Sequence, residues 1–112
     1  MFYGIKNPEP GDDAVTIALW SIKEIFFGDS KEPTHHLVGF IPEDSFGRVS
    51  SAIQFFDSER MMIETSSGRR YKLHGLPGSH ADARYVWSRW KNFNNARDER
   101  DVTIEYYRES GA

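Results

Sequence analysis

Four histidines, His35, His36, His74 and His80, have the widest chemical reach in this chain. His74 and His80 flank Gly75-Leu76-Pro77-Gly78, a turn sequence that brings them near each other, and Tyr71 lies just upstream. Those three residues define a candidate pocket, Tyr71, His74 and His80, for a small enzyme or ligand binder. A metal centre needs three or four converging ligands. Cysteine is absent, His35 and His36 point to opposite faces if their segment is a strand, and no spacing fits a metal-ligand pattern. No metal and no cofactor is expected.

Other chemistry has less to stand on. Asp12, Asp13, Glu43, Asp44, Asp57, Glu59, Asp98, Glu99 and Asp101 lie mainly in turn sequences, and nothing sets two of them across a cleft as glycoside hydrolysis requires. Ser50, Ser51, Ser66 and Ser67 lack the strand–turn–helix setting of a nucleophile elbow. Gly75-Leu76-Pro77-Gly78 precedes a helix, and helix N-termini favour anions, but Pro77 brings no N–H donor. The basic residues form a better constellation: Arg69, Arg70 and Lys72 on one strand, and Arg84, Arg89 and Lys91 on a helix with Tyr85, Trp87 and Trp90. Basic grooves interleaved with stacking aromatics bind single-stranded nucleic acid, so a small nucleic-acid-binding domain is the alternative reading. Against it, Glu64 can neutralise Arg70, and the tryptophans fit a core stripe.

The leading reading comes from the rings. Aromatics make up 14% of the chain, and Phe26-Phe27, Phe55-Phe56 and Tyr106-Tyr107 are adjacent pairs. In a strand each pair places one ring on either face, so two faces need covering. A helix covers one; a protein partner, a second copy included, would cover the other through Phe27, Phe56 and Tyr107. The expected function is therefore a non-enzymatic interaction or regulatory domain binding a protein partner or itself.

The elements that must position these residues are legible in outline. Met1 to Ile5 reads as an edge strand or a loose end, and residues 7–13, with two prolines and a glycine, as a loop. Val15 to Phe27 fits either a helical stripe or a strand; its β-branched and aromatic content tips it to strand. Residues 28–33 then form a hairpin loop and His36 to Ile41 a second strand. Arg48 to Phe56 alternates, with Val49, Ser51, Ile53 and Phe55 on one face.

Ser66, Ser67 and Gly68 suit a three-residue hairpin loop, with glycine at the left-handed position. That loop length sets Ile63 opposite Tyr71, Met61 opposite Leu73, and Glu64 opposite Arg70 on the outer face. Ser79 reads as an N-cap for a helix whose stripe is Ala83, Val86, Trp87, Trp90 and Phe93, ending near Asn94-Asn95. Val102 to Tyr107 alternates as a last strand, and Arg108 to Ala112 is a fraying tail.

The 112 residues suit a single α+β domain, an antiparallel β-meander of five to six strands with one C-terminal helix packed on it. A strongly curled, barrel-like sheet is compatible with this pattern. The net charge of −3 argues against a surface dominated by phosphate binding. No run approaches the roughly 20 apolar residues of a membrane span, and no basic, apolar leader opens the chain. The absence of cysteine favours a reducing compartment, so a cytoplasmic protein without membrane association is expected.

Overall fold

The computed structural model describes residues 14–107; the expectations for residues 1–13 and 108–112 lie outside that range. The strands are β1 (Val15–Phe27), β2 (Thr34–Ile41), β3 (Phe46–Asp57), β4 (Met62–Thr65), β5 (Arg70–His74) and β6 (Ala96–Asp101). One helix, α1 (Ala81–Phe93), stands between β5 and β6, and a 3₁₀ turn, Thr103–Glu105, follows β6. The α+β meander with a late helix is thus the observed fold, and the ambiguous first segment is a strand.

The meander closes on itself. Neighbours from β1 to β5 pair antiparallel, and β1 pairs with β5 in parallel, Val15 opposite Tyr71 through Ala18 opposite His74. The parallel closure follows from counting: in an up-and-down run of five strands the first and last point the same way. Closure leaves none of these five strands as a sheet edge; β6, paired with β1 alone, is the edge strand. Closure also corrects the reading of the ring pairs, because the second sheet face is the barrel interior, which the sheet covers itself. Ile17, Trp20, Ile22, Leu37, Ile63 and Leu73 fill that interior. Burying a chain's large apolar side chains stabilises by roughly 1.5–3 kcal/mol each.

The predicted hairpin register is the observed one. Ile63 faces Tyr71, Glu64 faces Arg70, and the Leu73 N–H donates to the Met61 carbonyl at 2.9 Å. Thr65 N–H bonds the Arg69 carbonyl across the three-residue loop, and Gly68 has φ +88°.

Simple alternation fails in β3. Its register slips between Ala52 and Val49 against β2, and again between Ile53 and Phe55 against β4. Each extra residue is a β-bulge that reverses which face later residues take. So Val49 packs under the helix, Ile53 and Phe56 join the barrel interior, and Phe55 stands 60% exposed. The predicted common face of Val49, Ser51, Ile53 and Phe55 is therefore wrong. The Ser50 hydroxyl accepts the Leu37 N–H at 2.9 Å and so repairs the ladder at the first bulge.

A third slip falls in β1 between Ala18 and Ser21, where Leu19 has φ +49°. A left-handed leucine costs about 1–2 kcal/mol, and it lets Ile17, Trp20 and Ile22 all turn inward.

Two elements differ from expectation at the C-terminal side. The last strand is Ala96–Asp101, not Val102 to Tyr107. Its sequence, Ala-Arg-Asp-Glu-Arg-Asp, is almost wholly charged and exposed, so it carries no hydrophobic alternation. What holds it is pairing with the far half of β1, reinforced by Lys23–Asp101 at 3.0 Å and Arg100–Glu24 at 3.1 Å. The expected alternating residues form a turn instead, with Val102 buried in the barrel core. The helix cap is His80 rather than Ser79: the His80 Nδ1 accepts the Asp82 N–H at 3.0 Å.

The helix lies against β2, β3 and β6, and touches neither β4 nor β5. Ala83 and Trp87 are buried on Val38 and Ile25, with Trp90 beside them. Phe93, expected in that stripe, is 90% exposed; at 3.6 residues per turn it is rotated about 100° around the helix from the buried Ala83–Trp87 face. Among the described residues, no helix is long and apolar enough to cross a membrane.

Candidate functional site

A groove of about 320 Å³ is lined by residues of α1 and the loop before it, the middle of β1 and the end of β6. Its apolar floor is Leu19, Val38, Ala83 and Trp87. The β1 bulge sets the near wall. There the Gly78 N–H donates to the Trp20 carbonyl at 2.9 Å, and the Trp20 Nε1–H donates to the Gly75 carbonyl at 3.1 Å. These bonds pin the loop before the helix against Leu19, and a Cβ on Gly78 would lie 3.0 Å from the Leu19 side chain. The His80 ring, stacked on Phe40 with centroids 4.0 Å apart, closes that end.

Charges of both signs form the rim. Lys23 pairs with Asp101 at 3.0 Å, and Lys91 pairs with Glu99 at 2.5 Å. The Trp87 Nε1–H also donates to Glu99, at 3.0 Å, and the Lys91 ammonium lies 5.6 Å from the Trp87 ring centroid. Burial pushes the Glu99 carboxyl up, but hydrogen bonds from Lys91 and Trp87 outweigh it and leave it below the usual carboxylate range. Burial likewise raises Asp101, and the Thr103 amide and hydroxyl together with Lys23 bring it below its ordinary value. Both acids are thus charged and neutralised in place. Arg84 differs: its guanidinium bonds only the Ser79 hydroxyl, and it forms no ion pair among the described residues.

A second polar cluster lies at one end of the barrel. His35 accepts from the Tyr106 hydroxyl through Nδ1 at 2.6 Å and donates from Nε2 to Glu24 at 3.1 Å. The Arg100 guanidinium, and then His35, hold the Glu24 carboxyl below its usual value. Burial, aided by the charges of Glu105 and Glu24, pushes the Tyr106 phenol up, so it stays a hydrogen-bond donor. The array ties the segment after β6 to the β1–β2 hairpin.

The residues singled out in the sequence distribute as follows. Arg84 and Lys91 line the groove, whereas Arg89 turns to Tyr85 on the helix's outer side. Arg69, Arg70 and Lys72 belong to the β4–β5 hairpin, which the helix does not touch, and Lys72 bonds the Arg60 carbonyl. The six cations therefore do not share one surface. The pocket trio does not converge. Tyr71 is buried in the barrel with its hydroxyl accepting from Arg48, His74 is exposed on the opposite face of β5, and His80 caps the helix. An odd separation along a strand, as between Tyr71 and His74, implies opposite faces.

The interface trio is engaged within the chain: Phe27 against Trp90 and His36, Phe56 against Tyr106, and Tyr107 edge-on to Trp20. Exposed apolar surface lies instead at Phe46, Phe55, Leu76, Tyr85 and Phe93. Sequence reasoning missed Lys23, and it left Glu99 and Asp101 as turn acids; their two-residue spacing in a charged run was the available signal. Among the described residues, no three His, Asp or Glu side chains converge as metal ligands.

In comparison with known proteins, the chain matches no family model, and no curated protein and no solved structure matches it.

Proposed function

We propose that this chain is a non-enzymatic interaction domain that holds a segment of a protein partner in the groove between α1, β1 and β6. The observation that carries this reading is the groove's composition: an apolar floor of Leu19, Val38, Ala83 and Trp87 within a rim of paired charges. Apolar centres with polar, hydrated rims are the anatomy of protein interfaces; here Leu19, 42% exposed, presents most of the apolar surface, over the buried Val38, Ala83 and Trp87. Its volume, about 320 Å³, is at the small end of the roughly 300–1,000 Å³ typical of small-molecule sites and suits a few side chains.

The nucleic-acid alternative has less support. Arg69, Arg70 and Lys72 are separated from Arg84, Arg89 and Lys91, and Glu99 and Asp101 would face any polyanion in the groove.

Selection of a displayed random peptide library on the purified domain tests the reading. Binders are expected whose affinity collapses when the groove is filled by Ser88→Trp, an exposed position on its wall. Sedimentation of the free domain identifies a second copy as the partner if it dimerises and Ser88→Trp prevents dimerisation. Monomeric protein and no groove-dependent peptide would refute the proposal.

A further inference from the structure

We infer that the segment received by the groove is acidic, with an aspartate or glutamate of the partner on Arg84 and an apolar side chain two positions away on the floor formed by Leu19 and Trp87. The inference rests on the interaction reading above and adds the chemistry of the occupant.

Charge complementarity selects it. Three cations line the groove, Lys23, Arg84 and Lys91, against two carboxylates, Asp101 and Glu99. The carboxylates are consumed by Lys23 and Lys91, so among the described residues the surplus is one positive charge, located at Arg84. Its guanidinium offers five N–H donors, and the Ser79 hydroxyl takes only one contact. A carboxylate is the matching partner, because arginine and carboxylate bond in bidentate fashion. A dianionic phosphate would want more than one free cation and would sit near Glu99 and Asp101, which line the same groove.

Spacing agrees. Arg84 lies one helical turn, about 5.4 Å, from Trp87 and Ser88 along the groove wall. In an extended peptide, side chains two positions apart share a face and are roughly 6.6 Å apart. An acid followed at that interval by leucine, methionine or an aromatic residue therefore spans from Arg84 to the floor formed by Leu19 and Trp87.

The test uses the composition of peptides selected from the displayed library on three proteins: the parent domain, Arg84→Gln and Arg84→Glu. Arg84 is exposed, so neither change should disturb folding, and unchanged far-ultraviolet circular dichroism verifies that. On the parent, groove-dependent binders should be enriched in aspartate or glutamate within two positions of an apolar residue. Those peptides should bind Arg84→Gln about ten-fold more weakly or worse, since one charge-assisted hydrogen bond commonly amounts to that factor. Arg84→Glu should select lysine or arginine at the same place. Groove-dependent binders without acidic bias, or binders indifferent to Arg84→Gln, would overturn this inference while leaving the groove as a docking site. The absence of any groove-dependent binder would remove both.

Discussion

His36 is the residue at which burial and protonation conflict most directly. It is 1% exposed, with the ring 4.7 Å from Trp90 and 5.6 Å from Phe27. The neutral tautomer protonated on Nδ1 satisfies both of its hydrogen bonds, donating to the Ser50 carbonyl at 3.0 Å and accepting from the Thr34 hydroxyl at 2.7 Å. Burial drives its pKa below the ordinary 6.5; the Ser50 carbonyl pulls the other way, and the nearby His35 adds to the lowering. The unfolded chain therefore takes up a proton before the folded one does. Stability from this residue is complete above about pH 6.5 and is lost as pH falls towards the folded pKa. The urea midpoint should drop between pH 7.5 and 5.5, and His36→Gln, though less stable at neutral pH, should flatten that drop. A midpoint constant over this range in the parent protein would contradict the assignment. Glu24, lowered chiefly by Arg100, contributes in a separate, more acidic window beginning near its ordinary 4.5.

Two glycines separate the demands of a packed element from those of a turn. Gly47 lies in β3 beneath the helix, where an added Cβ would fall 2.6 Å from the Ala83 Cα and 2.7 Å from the Asp82 carbonyl oxygen. Backbone cannot yield as a side chain can, so Gly47→Ala must lift the first turn of α1, at a cost of about 1–3 kcal/mol or more. Gly68 has open space around it but φ +88°, so Gly68→Ala should cost about 1–2 kcal/mol through backbone conformation alone. Thermal unfolding should register both losses. Only Gly47→Ala should alter near-ultraviolet dichroism from Trp87 and Trp90, which stack at 5.4 Å. Identical near-ultraviolet spectra for the two variants would mean the helix does not rest on β3 as described. The hairpin around Gly68 was readable because loop length, cross-strand charge and glycine position are all local. The face of β3 was not, because its bulges depend on β2 and β4.

At the scale of the molecule, stability concentrates where the barrel closes. Trp20 is fully buried, donates to the Gly75 carbonyl, and meets the Tyr107 ring edge-on at 6.0 Å. Removing a buried tryptophan typically costs about 3–5 kcal/mol, a large share of the roughly 5–15 kcal/mol available to a domain. Trp20→Ala should therefore lower the urea midpoint severely, whereas Phe93→Ala, at a 90% exposed position, should stay within about 0.5 kcal/mol of the parent. Comparable losses from the two substitutions would show that the core is misplaced. The sequence pattern alone treats these rings much alike; only the closed sheet ranks one as keystone and the other as surface.

Local rules determined a good deal from the chain itself: strand-forming composition in β1, the register of β4 on β5, the tryptophan stripe of α1, and the opposed directions of His35 and His36. Those properties depend on bond geometry and on neighbours a few positions away. Tertiary structure alone decided that β1 meets β5 in parallel, that a charged run becomes β6, and that Arg84 is the groove cation with no ion pair among the described residues. Each of these arises where segments far apart in the chain meet, Lys23 with Asp101 and Leu19 with Gly78. Side-chain periodicity cannot register such meetings, because every bulge resets its phase and every long-range ion pair lies outside its reach.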